Sequence, residues 1–344
     1  MAHAIDFSNN RANIAYVGTL PWHGLGSKLE SGLSIEQWQA AAGMGYEVMR
    51  AQVQYQNGEL RQFAGREVLY RSDTSAPLGI VSDGYKIVQP GEVLEFFRDL
   101  CEQQGMSLET AGVLKGGALY WALAKTGHTH TIAGNDRTEG YVLMSTSADG
   151  SRATDNRFTS VRVVCNNTLS VALNQGGKSA VRTSHRTTFD ATATKQKLGL
   201  VSYDTAWESF RGNLDKLTQK TVTRAESEEF FVDLLRPGAK REAAPVNHQA
   251  AGAEWLNNML ESQSAVAEMI SPKSDRAVRG LSELQESYYN APGALPGTAY
   301  GLVQGVTHFI DHSRGASADK RLTSAWFGQG DTLKTRAFDA ALAL

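Results

Sequence analysis

EGYVLMSTSADGSRATDNRFTSVRVVCNNTLSVAL, residues 139–173, is the stretch whose reading decides the fold class. Residues 141–146 alternate as a strand, Ala148-Asp149-Gly150 makes a turn, and residues 158–164 alternate again. Asp-Gly between two alternating runs favours antiparallel neighbours. After the second run, Asn166, Asn167 and Thr168 have the composition of a helix start, so the spacing predicts a strand–turn–strand–helix unit. The same unit carries Arg152 and Arg157 in its loop and Arg162 on its second strand.

Toward the N-terminus the chain reads as hairpins. Asn57-Gly58 joins strands over 47–55 and 60–71, residues 77–81 add a third, and Lys115-Gly116-Gly117 joins 107–114 to 118–125. Ser34 and Gln37 form a capping box ahead of a short helix that stops at Gly43 or Gly45. Pro90 opens a second helix, whose apolar face includes Val93, Leu94, Phe97 and Cys101 and which ends at Gly105. Trp22 and His23 read as packing residues of a turn-forming segment, and His128-Thr129-His130 as a polar loop.

Toward the C-terminus, residues 180–188 alternate with a basic face that includes Arg182 and Arg186. Beyond Phe189 the pattern turns helical, with Leu198, Val201, Trp207, Phe210, Leu214 and Leu217 at helical spacing. Further helices are predicted over 223–235, 254–269, 274–289, 298–312 and 333–344, with Trp326-Phe327 as an exposed pair. The resulting class is α+β: an antiparallel, hairpin-rich sheet with packed helices in the N-terminal two thirds and a mostly helical C-terminal part. Residues 1–222 are expected to form the core with a nucleic-acid groove, and residues 223–344 a helical region.

Composition narrows the function classes. Net charge is −2, and the two cysteines, Cys101 and Cys165, do not make a disulfide framework, which favours a reduced, cytoplasmic setting. No run of apolar residues is long enough for a transmembrane helix, and the N-terminal residues lack a signal-peptide pattern, so no membrane partner is expected. No metal-ligand spacing, phosphate loop or nucleophile elbow is present, so neither a metal, a cofactor nor a catalytic residue is expected, and the protein reads as a non-enzyme. Two enzymatic readings stay open beside this: Cys165 as a nucleophile with His185 as its base, and Asp149 with Asp155 holding a divalent cation. Against them, Cys is often a small buried hydrophobe, and an Asp at an Asp-Gly turn is far more often structural.

The charge distribution says more than the sum. From Arg152 to Lys197 the basic residues are Arg152, Arg157, Arg162, Lys178, Arg182, Arg186, Lys195 and Lys197, against Asp155 and Asp190 alone. Such a run serves either as an electrostatic footprint for phosphates or as a solvated face with scattered ion pairs. Asn166 at a helix start would add unpaired backbone N–H groups that favour anions. Tyr141 and Phe158 lie close in sequence as candidates for base stacking.

Residues 145–151, STSADGS, with 162–169, RVVCNNTL, resemble the phage/plasmid-like protein family, a domain of unknown function. Residues 81–89 (VSDGYKIVQ), 116–123 (GGALYWAL), 298–301 (TAYG) and 327–330 (FGQG) carry the same resemblance, which therefore covers nearly the whole chain. The family often has His before Asp-Gly where this chain has Ala148, so no role of that His is carried over. The resemblance implies a mobile-element origin. More remotely, the order of hairpins, helix, strands and basic turn is similar to single-strand annealing recombinases of the RecT and Erf groups, which form rings or filaments around a DNA strand.

The expectation is therefore an ATP-independent single-stranded-DNA-binding and annealing protein that acts as a homo-oligomer. Its phosphate contacts would be Arg152, Arg157, Arg162, Asn166, Lys178, Arg182, Arg186, Lys195 and Lys197. The alternative is a mobile-element protein that binds and modulates a host protein without touching nucleic acid.

Overall fold

Residues 119–124 run Leu-Tyr-Trp-Ala-Leu-Ala with no charged position, a pattern that a strand tolerates where both its faces are covered. The computed structural model, which describes residues 7–8, 11–18, 26–132, 136–162, 167–170, 180–194, 203–235, 275–314, 321, 324–326 and 328–344, has this arrangement. Leu119, Trp121 and Leu123 fall in one buried cluster, and Tyr120, Ala122 and Ala124 in the other.

The chain begins with β1 (Phe7–Ser8), β2 (Arg11–Ala12), β3 (Ile14–Val17), β4 (Ser27–Leu29) and α1 (Ile35–Ala42). β5 (Val48–Asn57), β6 (Glu59–Arg71) and β7 (Pro77–Ser82) follow, then α2 (Pro90–Gln104). β8 (Ser107–Leu114), β9 (Leu119–Ile132), β10 (Asp136–Ser147) and β11 (Thr154–Arg162) form the central meander, flanked by β12 (Asn167–Ser170) and β13 (Ala180–Thr183). The remaining helices are α3 (Tyr203–Gln219), α4 (Arg224–Leu235), α5 (Asp275–Asn290), α6 (Ala299–His308) and α7 (Gln329–Leu342).

Eight strands make the main sheet, in the order β12-β11-β10-β9-β8-β3-β4 with β13 also beside β11. Its pairings are antiparallel except β3 with β4. α1 and α2 pack against β8, α2 and α3 against β9, and α6 and α7 against β12. One hydrophobic cluster runs from Ala15 to Ala341, so the helices of 223–344 share a core with the sheet.

The α+β class and the three hairpin junctions are as the sequence predicts. The helix expected from Asn166 is not: Asn167–Ser170 is a strand, with Asn167 opposite Arg162 on β11. Asn-Thr-Leu-Ser suits a short edge strand as well as a cap, and pairing with the open side of β11 outweighs the local preference. His128 and His130 are likewise not in a loop, because β9 continues to Ile132. Trp326 is half-buried, with its ring edge-on to Trp121 at 5.0 Å. Trp22, His23, Leu198, Val201, residues 254–269 and Phe327 lie outside the described residues.

α6 shows why the helical half packs so closely. Thr298 caps it by accepting from the Gly301 amide, and every residue from Ala299 to Thr307 is buried. A helix buried on all sides needs small residues where neighbours cross it. A Cβ on Gly301 would lie 2.0 Å from the Leu295 carbonyl oxygen, and one on Gly305 2.9 Å from Cα of Tyr288. Gly301→Ala is therefore expected to destabilise by about 2 kcal/mol, overpacking outweighing the better helix propensity of Ala. Urea unfolding measures it, and an unchanged or raised stability would show that the Leu295 turn yields.

Candidate nucleic-acid interface

Arg152 lies in the turn between β10 and β11 and Arg157 follows on β11, where its side chain is turned inward. The register places Leu143 opposite Arg157, so Asp155, Arg157, Thr159 and Val161 share the sheet face of Leu143 and Trp121. Arg157 has a side chain only 3% exposed. Its Nε and Nη2 donate to the two oxygens of Asp155 at 2.6 and 2.9 Å, and its Nη1 donates to Asp331 of α7 at 2.5 Å. Arg182, opposite Asp155 on β13, adds a bond from Nε at 2.8 Å. Burial opposes ionising Asp155, but Arg157 and Arg182 together hold its carboxyl below the usual carboxylate range. Arg152 is half-buried and lies in the field of Asp155, Arg157, Asp149 and Arg182.

The predicted contacts therefore divide. Arg157 is committed to the buried Asp155 and the half-buried Asp331 and is not placed to meet a phosphate, which corrects its expected role. Arg182 is exposed over 65% of its side chain though paired, and Arg186 is exposed. For Arg162 only the backbone on β11 is described. Asn166, Lys178, Lys195, Lys197 and Cys165 lie outside the described residues. With Asn167–Ser170 a strand, the argument for an anion site at a helix start there falls away. Tyr141 and Phe158, the candidate stacking rings, are both buried.

Three of the segments that carried the family resemblance, 81–89, 116–123 and 145–151, meet at this turn through backbone-directed bonds. The Tyr85 hydroxyl donates to the Ser147 carbonyl at 2.8 Å, the Ala148 amide to the Ala118 carbonyl at 2.8 Å, and the Tyr120 hydroxyl to the Val88 carbonyl. β7 crosses so closely that a Cβ on Gly79 would lie 2.6 Å from Cα of Asp149. His185 stacks on Tyr85 at 4.4 Å and donates from Nδ1 to the Lys86 carbonyl at 2.7 Å. Burial lowers its pKa, so the ring is held neutral. Asp149 accepts from the Ser151 amide, as a turn aspartate does.

Sequence reading found the β5–β6 hairpin but not that its turn end stands exposed. β7 pairs only with Arg66 to Tyr70 of β6, so the turn end of the hairpin extends beyond it as a two-stranded arm. The register steps between Gln52 and Gln54, and Gly65 takes a φ of 74°, a conformation that glycine tolerates best. Beyond this step Tyr55 faces Arg61 across the strands, and Phe63 lies two residues along on the same side. Tyr55 is 46% and Phe63 52% exposed, edge-on to each other at 6.4 Å. Arg50 ties the base of the arm down through Glu67 at 2.7 Å and the Tyr85 carbonyl at 3.0 Å. The missed signal was composition: Arg50, Gln52, Gln54 and Gln56 leave alternate positions of the strand polar to its end.

Among the described residues no group of three His, Cys, Asp or Glu is placed to hold an ion. His128 and His130 instead pair with Asp204 and Asp215 of α3, each at 2.9 Å. Cys101 is half-buried on α2, and burial pushes its thiol up. No described helix is long and apolar enough to cross a membrane.

No curated protein and no solved structure matches the chain. Residues 77–326, from β7 through the half-buried Trp326, do match one family across the sheet and most of the helical half, and the chain belongs to that family, described as Domain of unknown function (DUF932).

Proposed function

We propose that the protein binds single-stranded DNA and anneals complementary strands without ATP, as an oligomeric ring or filament serving a phage or another mobile element in the cytoplasm. The hairpin arm is the observation that carries this reading. Residues 49–66 hold Arg50, Arg61 and Arg66 against Glu59 alone, in a chain of net charge −2. Arg61 lies beside two exposed rings. Aromatic faces accept any base, and arginine accepts any phosphate, so such an arm holds a strand with little regard to sequence. Annealing requires this tolerance. Arg182 and Arg186 supply a second exposed basic position on and just after β13.

Oligomerisation would use the base of the same sheet. Met49, Ala51, Val68, Tyr70 and Ile80 share the face turned away from Leu69 and Val81, and Ile80 is 60% exposed there. A second copy seated on this face would cover apolar surface that one chain leaves open.

Fluorescence anisotropy of a labelled oligonucleotide, titrated at several salt concentrations, tests the reading. Affinity is expected to fall steeply with salt. Tyr55→Ala with Phe63→Ala is expected to weaken binding by about 10- to 100-fold, since stacking contributes about 1–3 kcal/mol per base. Both side chains are exposed, so unfolding should barely change. Absence of any shift at low salt overturns the proposal. A stable complex with a host protein and no oligonucleotide binding would replace it with the host-modulator reading.

A further inference from the structure

Where β3, β8, β9 and β10 meet α1 and α2, the surface opens into a groove of about 820 Å³. That is the size of a small-molecule pocket. Leu33, Ile35, Trp38, Met106 and Leu108 form the apolar part of its wall.

Two neighbouring irregularities in the sheet shape the polar end. The β8–β9 register steps between Leu108 and Thr110, which leaves Glu109 as the extra residue. The β9–β10 register steps between Glu139 and Tyr141, across Gly140. Bulges re-aim side chains and gather beside functional sites. Here they collect Glu109, Glu139, Lys125 and Tyr141. The Tyr141 hydroxyl reaches Glu139 at 3.0 Å and Glu109 at 3.3 Å, and its one proton cannot serve both fully. Lys125 and Arg137 both serve Glu139, at 2.7 and 2.9 Å. Among the described residues, Glu109 has the hydroxyl of Tyr141 and no ion pair. Burial pushes the Glu109 carboxyl up, with Lys125 offsetting part of the effect.

The groove is therefore short of positive charge. Glu36, Glu102, Glu109 and Glu139 line it against Arg98 and Lys125. An anion would meet net repulsion, and a neutral apolar molecule would leave Glu109 buried without a counter-charge.

We infer that this groove binds a small organic cation, an ammonium group on an apolar or aromatic body, with the ammonium on Glu109 and the body against Trp38, Leu33 and Leu108. The site is independent of the hairpin arm and of nucleic-acid binding. Its ion pair needs the carboxylate form, so affinity should tighten as pH rises through the raised pKa of Glu109. The groups acting on Glu109 are Lys125, Glu139 and Tyr141 from the sheet, and the other titratable residues of the groove are Glu36 from α1 and Arg98, Cys101 and Glu102 from α2.

Calorimetric titration of the full chain with 2-phenylethylammonium and with its neutral counterpart 2-phenylethanol decides the matter. The ammonium is expected to bind saturably at neutral pH. Binding should be about tenfold weaker or worse for the alcohol, and equally so for the ammonium on Glu109→Gln, as loss of a charge-assisted hydrogen bond implies. Leu33→Trp fills the groove from the turn before α1 and should abolish binding, which covers the case of a Glu109→Gln protein that does not fold. No saturable ammonium binding, equal affinity for ammonium and alcohol, or ammonium binding untouched by both variants overturns the inference.

Discussion

Arg157→Met is expected to lower the free energy of unfolding by about 3–5 kcal/mol, because it removes one partner of a buried ionic network and leaves the others. Met keeps much of the volume but none of the donors. Asp331 would lose the Nη1 bond, and Asp155, among the described residues, would keep the bond from the exposed Arg182. Arg157→Lys should be milder yet still destabilising, since one ammonium cannot reproduce a fork that holds both oxygens of Asp155 and reaches Asp331 as well. Removing the carboxylates along with the charge, in Arg157→Met with Asp155→Asn and Asp331→Asn, should recover much of the loss, as replacing a whole buried network often does. Urea unfolding of the four proteins gives the comparison. A single variant within about 1 kcal/mol of the parent would show that the network carries little stability.

The same result bears on function. If Arg157 were a phosphate contact, its loss would weaken oligonucleotide binding and leave the fold alone. The geometry predicts the reverse order: stability falls first, and binding follows only as far as the fold does. The Tyr55 and Phe63 double variant should behave in the opposite way, so the two variants together separate a structural arginine from a binding arm.

The contrast shows what a sequence carries. Asn57-Gly58, Lys115-Gly116-Gly117 and Asp149-Gly150 are local instructions, and each ends up at a turn between antiparallel strands. The capping boxes at Ser34 and Thr223 are equally local and equally visible in the hydrogen bonds. Counting charges from Arg152 to Lys197 could not find Asp331, because that partner is 174 residues away from Arg157. Nor could it find that Asp155 is shared by Arg157 and Arg182, which depends on the β11–β13 register. Asn167–Ser170 was misread for the same reason: its partner strand, and not its own composition, decides its conformation. The arm was passed over because a hairpin signal says where the chain turns and not whether anything covers it. Only the long run of Gln and Arg opposite Tyr55 hinted that nothing would.

Lys334→Met is expected to cost about 3–5 kcal/mol at neutral pH, for a reason the helix pattern hides. On α7 the buried residues include Gly330, Lys334, Ala337 and Ala341, spaced four, three and four apart, so a lysine stands in the middle of the core stripe. It is 1% exposed and ion-paired to Asp311, itself 6% exposed. Asp311 sits in the π-helical turn Phe309–Ser313 that continues α6. Met fills the place of the lysine stem but takes the ammonium away from the Asp311 carboxylate. Lys334→Met with Asp311→Leu removes both charges and should regain most of the stability. Urea unfolding of the single and double variants measures it, and a double variant no more stable than the single one would place the loss in packing around the lysine stem and not in the broken ion pair.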